Sequence, residues 1–171
     1  MKKFLGLVLV LLVVSAPMFC QENKAEVFGG YQYTRINPGT GGDNYNGWNG
    51  ALTYNMTKWL GVTGDFSGAY KDISGVSLKT HTFMFGPTVS MTASEKFKPF
   101  VHALFGGAHS SASVSGSSIG DTAFATALGG GVDVGSKKFA VRIGQFDYLL
   151  TRFGGTGQNN FRYSAGVVYR F

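Results

Sequence analysis

Residues 160–171 constrain the fold of this 171-residue chain most strongly, because apolar and polar side chains alternate through them. A period of two is typical of a β-strand and not of a helix. One face carries mainly apolar side chains: Phe161, Tyr163, Ala165, Val167, Tyr169 and Phe171. The opposite face carries Asn160, Arg162, Ser164, Gly166, Val168 and Arg170. Two arginines on one face require water or an enclosed lumen beside that face.

The length of this stretch favours lipid on its apolar face. Twelve residues at about 3.3 Å each, tilted by about 45°, rise about 28 Å, which spans the roughly 25 Å apolar band of an outer-membrane barrel. Strands of soluble proteins usually have about 5–6 residues. We therefore predict a transmembrane strand in which Val167 faces lipid and Gly166 faces the lumen. A Gly166→Ser substitution is expected to be tolerated better than Val167→Arg, because a hydroxyl can find a partner in the lumen.

The N-terminus has the pattern of a secretory signal peptide. Lys2 and Lys3 form a charged region, and the apolar run that follows, residues 4–14, is shorter than the about 20 residues of a membrane-spanning helix. We predict a signal peptide at residues 1–20 and a barrel domain at residues 21–171. The predicted mature domain contains no cysteine, because Cys20 is the only one in the chain. Disulfides and thiolate metal sites are therefore not expected.

The composition is typical of a transmembrane barrel. Charged residues make up 14% of the chain, against about 25% in soluble proteins. The chain also has 26 glycines and 15% aromatic residues. The net charge of +6 falls to +4 without Lys2 and Lys3 of the predicted signal peptide, and the remaining basic residues are spread along the chain without a cluster. This distribution argues against nucleic-acid binding and suits contact with anionic lipid head groups.

Alternation and turn signals together predict eight strands. Eight strands of about 12 residues leave about 50 residues for connections, whereas ten strands would leave only about 26. The short connections that include lysine are expected in the periplasm, and the longer loops predicted at residues 37–44, 110–121 and 152–159 outside. We therefore predict an all-β fold, an eight-stranded antiparallel up-and-down transmembrane β-barrel. The predicted strands are residues 26–35, 46–56, 59–70, 78–91, 99–109, 123–134, 139–151 and 160–171.

Residues 129–171, GGGVDVGSKKFAVRIGQFDYLLTRFGGTGQNNFRYSAGVVYRF, resemble the end of small bacterial outer-membrane β-barrel proteins of the OmpA-like/OmpX-like superfamily. In that family a C-terminal aromatic residue is the recognition signal for the barrel-assembly machinery. The matching residues here are Phe171 and, two positions before it, Tyr169. The resemblance implies a monomeric outer-membrane protein whose partners are outer-membrane lipid and the barrel-assembly machinery. It brings no catalytic motif and no cofactor.

The lumen of an eight-stranded barrel is just wide enough for side chains to fill it. Charges inside it must be paired, because an isolated buried charge is costly. A bulge near Gly144 is needed to turn the side chain at position 147 inward. Glu26 and Arg170 also fall on inward faces. The predicted lumen network consists of Asp65, Asp133, Arg142, Asp147 and Arg162. We interpret this network as structural polar packing of the barrel interior, with ion conduction as the alternative.

The histidines do not form a metal-binding pattern. His102 lies in a strand with apolar residues on both faces, so its direction is not assigned. His109 and Ser111 form an H-x-S pair that resembles the catalytic pair of an outer-membrane lipid A deacylase, but the pair lies in a serine-rich tract without a matched acidic partner. We predict no catalytic, cofactor-binding or metal-binding residues, and a structural or interaction role. The alternatives are a lipid-modifying hydrolase and a narrow ion-conducting pore.

Overall fold

The computed structural model of the chain is a closed barrel of antiparallel strands in which each strand pairs with the next in sequence and the last pairs with the first. It describes residues 24–36, 43–73, 76–91, 96–114, 117–153 and 156–171, so the predicted signal peptide lies outside the described residues. The predicted up-and-down barrel of eight strands is confirmed. The strands are β1 Ala25–Ile36, β2 Asp43–Asn55, β3 Leu60–Ile73, β4 Val76–Ser90, β5 Phe97–Val114, β6 Ser117–Gly135, β7 Phe139–Phe153 and β8 Thr156–Arg170.

The barrel has two ends, which we call the terminal end and the distal end. The terminal end holds Lys24, which is the first described residue, Phe171 and the connections that follow β2, β4 and β6. Lys24 N donates to Phe171 O at 3.0 Å, and Arg170 N donates to Lys138 O at 2.9 Å, so these segments are joined into a rim. The distal end holds the connections that follow β1, β3, β5 and β7. The lysine-containing connections that were predicted to face the periplasm lie at the terminal end, so the sequence predicts that this end is the periplasmic one.

The predicted alternation matches the observed faces of the barrel. In β1, Val27 and Tyr31 are 41% and 53% exposed on the outside, while Phe28 between them is 3% exposed inside. In β8, Val167 is outside and Val168 is fully buried inside. Part of the interior is apolar, and a cluster on the wall formed by β4 to β7 consists of Met84, Leu104, Ala108, Ala125, Ala127 and Leu149.

Two predicted loops are instead mainly strand. The sequence predicts a loop at residues 110–121, yet β5 continues to Val114 and β6 begins at Ser117. The two strands stay paired along this region, for example at Ser111 and Gly120. Residues 152–159 likewise belong mostly to β7 and β8. Small polar residues predicted a loop, but the backbone hydrogen bonds of a β-ladder do not depend on apolar side chains.

The bulge predicted near Gly144 is confirmed. The β7–β8 register shifts between Arg142 and Gln145, so Ile143 and Gly144 together lie opposite one residue of β8, Ala165. The β6–β7 register shifts at the same height. The extra residue reverses the alternation of side chains along β7. Gln145 and Asp147 therefore face the lumen, and Phe146 faces outward.

Gly166 requires a correction. It lies directly opposite Gly30 of the neighbouring strand. A Cβ atom at position 166 would overlap backbone atoms of Gly29 and Gly30. The expected tolerance of Gly166→Ser is therefore wrong, because the glycine pair marks a close approach of two backbones and not open lumen space.

Within the described part of the chain, no helix is both long and apolar enough to cross a membrane.

Candidate functional site

Arg162 of β8 lies at the centre of the lumen and is 2% exposed. Its Nε donates to Asp147 Oδ2 and its Nη1 donates to Asp65 Oδ1, both at 2.7 Å. Asp147 is the direct neighbour of Arg162 in the β7–β8 register. Asp65 reaches the guanidinium from β3, across the lumen. One arginine therefore connects three strands through charge-assisted hydrogen bonds, which are stronger than neutral ones.

Asp147 is held by two further side chains. His102 Nε2 lies 2.7 Å from Asp147 Oδ1, and Gln145 Nε2 donates to Oδ2 at 2.8 Å. Sequence reasoning missed His102 because its strand has inward apolar residues, Phe100 and Leu104, beside it. The β4–β5 register could have located it, since His102 is paired with Thr88, which alternation places inside.

A second arginine fills the lumen nearer the terminal end. Arg142 Nε and Nη2 donate to the two carboxylate oxygens of Asp133 at 2.8 and 3.2 Å. The guanidinium carbon lies 4.4 Å from the ring centroid of Phe28 and 4.1 Å from that of Phe100. Arg142 Nη1 also donates to Gln145 Oε1 at 2.7 Å, which links this layer to Asp147. The planar cation is thus bound edgewise by a carboxylate and on its faces by two rings.

Glu26 forms the last layer, at the terminal end. It accepts from Arg170 Nε at 3.2 Å and from Asn55 Nδ2 at 2.7 Å, and it pairs with Lys98. Arg170 Nη2 also donates to Asp133 Oδ2 at 3.3 Å. The hydrogen-bonded chain is therefore continuous from the terminal rim to the centre of the lumen.

These charges balance among the described lumen residues. Four cations meet four carboxylates, with His102 as an additional group that is charged only when protonated. The cavity left in this half of the lumen measures about 20 Å³. We call the set the lumen network: Glu26, Asp65, Lys98, Asp133, Arg142, Asp147, Arg162 and Arg170. Pairing of this kind offsets the cost of removing each charge from water.

All five residues predicted for the lumen network lie together inside the barrel, and Lys98 is a member that the sequence reasoning missed. Tyr169 and Phe171, the predicted assembly signal, lie apart from it at the terminal end. Their ring centroids are 4.7 Å apart, and the ring centroid of Phe139 lies 4.8 Å from that of Tyr169. The three rings form an outward-facing aromatic row, with Phe171 61% exposed.

His109 lies on the outer face of β5. Its Nδ1 is 2.8 Å from Thr122 Oγ1, so the partner of the imidazole is a hydroxyl and not the carboxylate that orients the base in a Ser-His-Asp triad. Among the described residues, no group of three or more His, Cys, Asp or Glu side chains is placed to hold a metal ion.

Comparison with solved structures finds the same barrel in several outer-membrane proteins. Ail, the attachment invasion locus protein of Yersinia pestis, is 21% identical with a TM-score of 0.66, covering 88% of this chain and 100% of that one. Neisserial surface protein A is 16% identical with a TM-score of 0.76, covering 86% and 97%. The N-terminal β-barrel domain of Pseudomonas aeruginosa OprF is 15% identical with a TM-score of 0.56, covering 88% and 100%.

A comparison with curated proteins found no matching sequence. Identities below 25% in the structural comparison support the fold alone. The family model for the outer membrane protein beta-barrel domain matches residues 6–171, nearly the whole chain. The chain therefore belongs to the outer membrane protein β-barrel domain family and is a small barrel of the bacterial outer membrane.

Proposed function

We propose that the protein is a non-conducting barrel with an interaction role: it is anchored in the outer membrane and presents its distal end to partners outside the cell. The observation that supports this most directly is the lumen network, which leaves a cavity of only about 20 Å³ in the terminal half. An ion would have to displace Arg142 or Arg170 from a carboxylate in order to pass. Breaking such a buried pair costs about 3–5 kcal/mol.

Conductance in planar lipid bilayers tests the closed lumen. The purified barrel should insert without producing current steps, while a porin inserted in the same bilayer serves as the positive control. Reproducible steps from the unmodified barrel would instead support the narrow pore.

The distal end supplies the surface for interaction. β5 and β6 have 18 and 19 residues, whereas β1 has 12. The β6–β7 ladder ends at Phe124, so the first part of β6 extends beyond its β7 neighbour. The distal part of this hairpin, residues 110–121, is rich in serine and carries few apolar residues, which suits a position in water outside the lipid.

Labelling of intact cells tests the orientation. A short epitope inserted between residues 115 and 116 should be accessible to antibody on intact cells, because the distal end is placed outside. The same epitope inserted at Lys137, in the turn between β6 and β7, should react only after the outer membrane is permeabilised. The reverse pattern would show that the two ends are inverted.

The partners proposed during biogenesis and in the membrane are the barrel-assembly machinery and outer-membrane lipid, and the barrel is proposed to be a monomer.

Lipid hydrolysis is the competing activity. Incubation of the purified protein with lipid A in detergent micelles should release no fatty acid above a His109→Ala control. Release that depends on His109 would overturn the interaction role in favour of an enzyme.

A further inference from the structure

A second lumen cavity lies between Arg162 and the distal end. Its volume is about 250 Å³, more than ten times that of the cavity in the terminal half. Arg162 lies at its inner end, while Ile36 and Asp43, at the distal ends of β1 and β2, lie at its outer end. Most of the polar side chains that line it are neutral hydroxyls and amides. Its wall therefore differs in chemistry from the ionic terminal half.

The hydroxyls of the wall are paired across neighbouring strands. Ser67 Oγ lies 2.6 Å from Thr82 Oγ1, and Thr80 Oγ1 lies 2.8 Å from Ser110 Oγ. A pair of hydroxyls shares one hydrogen, so the second hydroxyl keeps its own hydrogen to donate and both oxygens keep lone pairs. Each pair can therefore both donate to and accept from a guest molecule.

Gln32 supplies a buried polar atom that is not matched within the described protein. Its Nε2 donates to Thr34 Oγ1 at 3.0 Å, while its Oε1 has no hydrogen-bond partner among the described residues. The side chain is 2% exposed and lines the cavity. If the amide were turned over, its oxygen would face Thr34 and its nitrogen would be unmatched instead. In either orientation one polar end of the buried amide, in a residue that lines the cavity, lacks a hydrogen-bond partner among the described residues.

The charges at the cavity are already neutralised by protein. Arg162 is held by Asp65 and Asp147, and Asp43 near the outer end is paired with Lys71. A charged guest would lose its hydration without gaining a counter-charge, which is costly. A neutral guest with several hydroxyl groups loses less and can exchange its water hydrogen bonds for those of the wall.

We propose that the distal cavity is a binding site for a small neutral polyhydroxyl molecule, such as a monosaccharide or a cyclic polyol. The volume is below the about 300–1,000 Å³ of pockets for drug-sized ligands, so one sugar ring suits it better than a longer oligosaccharide. The cavity extends to the distal ends of β1 and β2, and the lumen network bounds its inner end. This inference goes beyond the interaction role and does not depend on the hairpin or on conductance.

Binding is tested on the purified full barrel in detergent with glucose, galactose and myo-inositol as probes. Isothermal titration calorimetry should give saturable binding that changes little between low and high salt, because no ion pair forms. In methyl spectra, signals of Leu149 and Thr151, which line the cavity, should shift on titration. Those of Leu52 and Leu128, which face outward, should not.

Matched variants locate the site. Ala69 lines the cavity and is 3% exposed, so Ala69→Leu fills the space and should weaken binding at least tenfold. Ala165→Leu makes the same change on the outer face of β8 and should leave binding unchanged. Thr82→Val removes one hydroxyl at nearly constant volume and should also weaken binding. It provides the test of the site if Ala69→Leu fails to fold. Heat-dependent electrophoretic mobility shows which variants have folded.

Three outcomes would overturn the proposal. The first is that none of the probes shifts the Leu149 and Thr151 signals at concentrations up to 100 mM. In the second, Thr82→Val and Ala69→Leu bind a probe as tightly as the unmodified barrel. In the third, inorganic phosphate or sulfate binds in the cavity more tightly than every neutral probe, which would assign the site to anions.

Discussion

At the scale of single residues, Arg162 is the group on which most of the lumen chemistry depends. It contacts Asp65 and Asp147 with different nitrogens, and both carboxylates are almost fully buried. Removal of a partner from a buried ion pair leaves an uncompensated charge, and the cost exceeds the value of the pair itself. Arg162 thus matters less for its own attraction than for the two carboxylates that would be left unpaired.

We therefore expect Arg162→Met to destabilise the folded barrel by about 3–5 kcal/mol. Arg152→Met removes an arginine of β7 that is exposed, and it should change stability by less than about 0.5 kcal/mol. Urea unfolding and refolding in lipid vesicles measures both free energies. Equal effects of the two substitutions would contradict the role assigned to Arg162.

The outer face is tested at Val167, which is 55% exposed and lies opposite Gly29 and Val141 on the neighbouring strands. Val167 lies between the terminal aromatic row and the middle of β8, so Val167→Arg should destabilise the inserted barrel by about 1–3 kcal/mol, between the cost near the interface and the cost at the bilayer midplane. Val167→Leu keeps the site apolar and is the control. Refolding free energies in vesicles give the comparison, and an arginine variant as stable as the leucine variant would show that this position does not face lipid.

At the scale of secondary structure, the bulge in β7 decides which residues of that strand enter the lumen. Before the bulge Arg142 faces inward, and after it Gln145 and Asp147 do so. Without an extra residue these three positions could not share a face, because side chains alternate strictly along a regular strand. The Tyr163 hydroxyl donates to Ile143 O at 2.8 Å and so binds the carbonyl at the bulge.

Deletion of Ile143 should be tolerated, because it removes the extra residue and leaves Arg142, Gln145 and Asp147 on the inward face. Deletion of Leu128 is the control, since β6 is regular at that point and pairs with β5 and β7 in continuous register. There the deletion turns inward residues on one side of the gap toward lipid, Asp133 among them. Folded barrel is measured as the fraction of unboiled protein whose electrophoretic mobility changes on boiling. This fraction should remain high after deletion of Ile143 and fall strongly after deletion of Leu128.

At the scale of the whole molecule, the aromatic row at the terminal end has two separable roles. In the folded barrel, Phe171 packs edge-on against Tyr169, and Phe139 packs against the same ring in a tilted arrangement. The recognition role proposed for Tyr169 and Phe171 acts earlier, before the barrel closes. Phe139 shares the packing but not the C-terminal position, so it separates the two roles.

Phe171→Ala and Phe139→Ala should each destabilise the refolded barrel by a similar, small amount, about 0.5–1.5 kcal/mol for a lost aromatic pair. Only Phe171→Ala should slow assembly in cells. Pulse-chase measurement of the heat-sensitive form in the outer membrane gives the rate, and vesicle refolding gives the stability. If both variants assemble at the rate of the unmodified protein, the C-terminal aromatic is not an assembly signal in this chain.

The sequence by itself determined the barrel and the face of most residues. Alternation is a local property, since successive Cβ atoms point to opposite sides of a strand, so each strand such as residues 160–171 carries its own inside and outside. Even the bulge near Gly144 followed from two polar residues with the wrong parity. The five lumen charges followed from the same rule, because only an enclosed interior can hold charged residues on strands that cross lipid.

Only the tertiary structure decided which groups meet. Arg162 and Asp65 are 97 positions apart in the chain and touch across the lumen. Which side chains meet there depends on the tilt and stagger of the strands, and these are set jointly by all eight ladders when the barrel closes. The same closure brings His102 to Asp147 and presses Gly166 against Gly30. Parity along one strand contains no information about these distances, because they depend on how far every other strand is shifted.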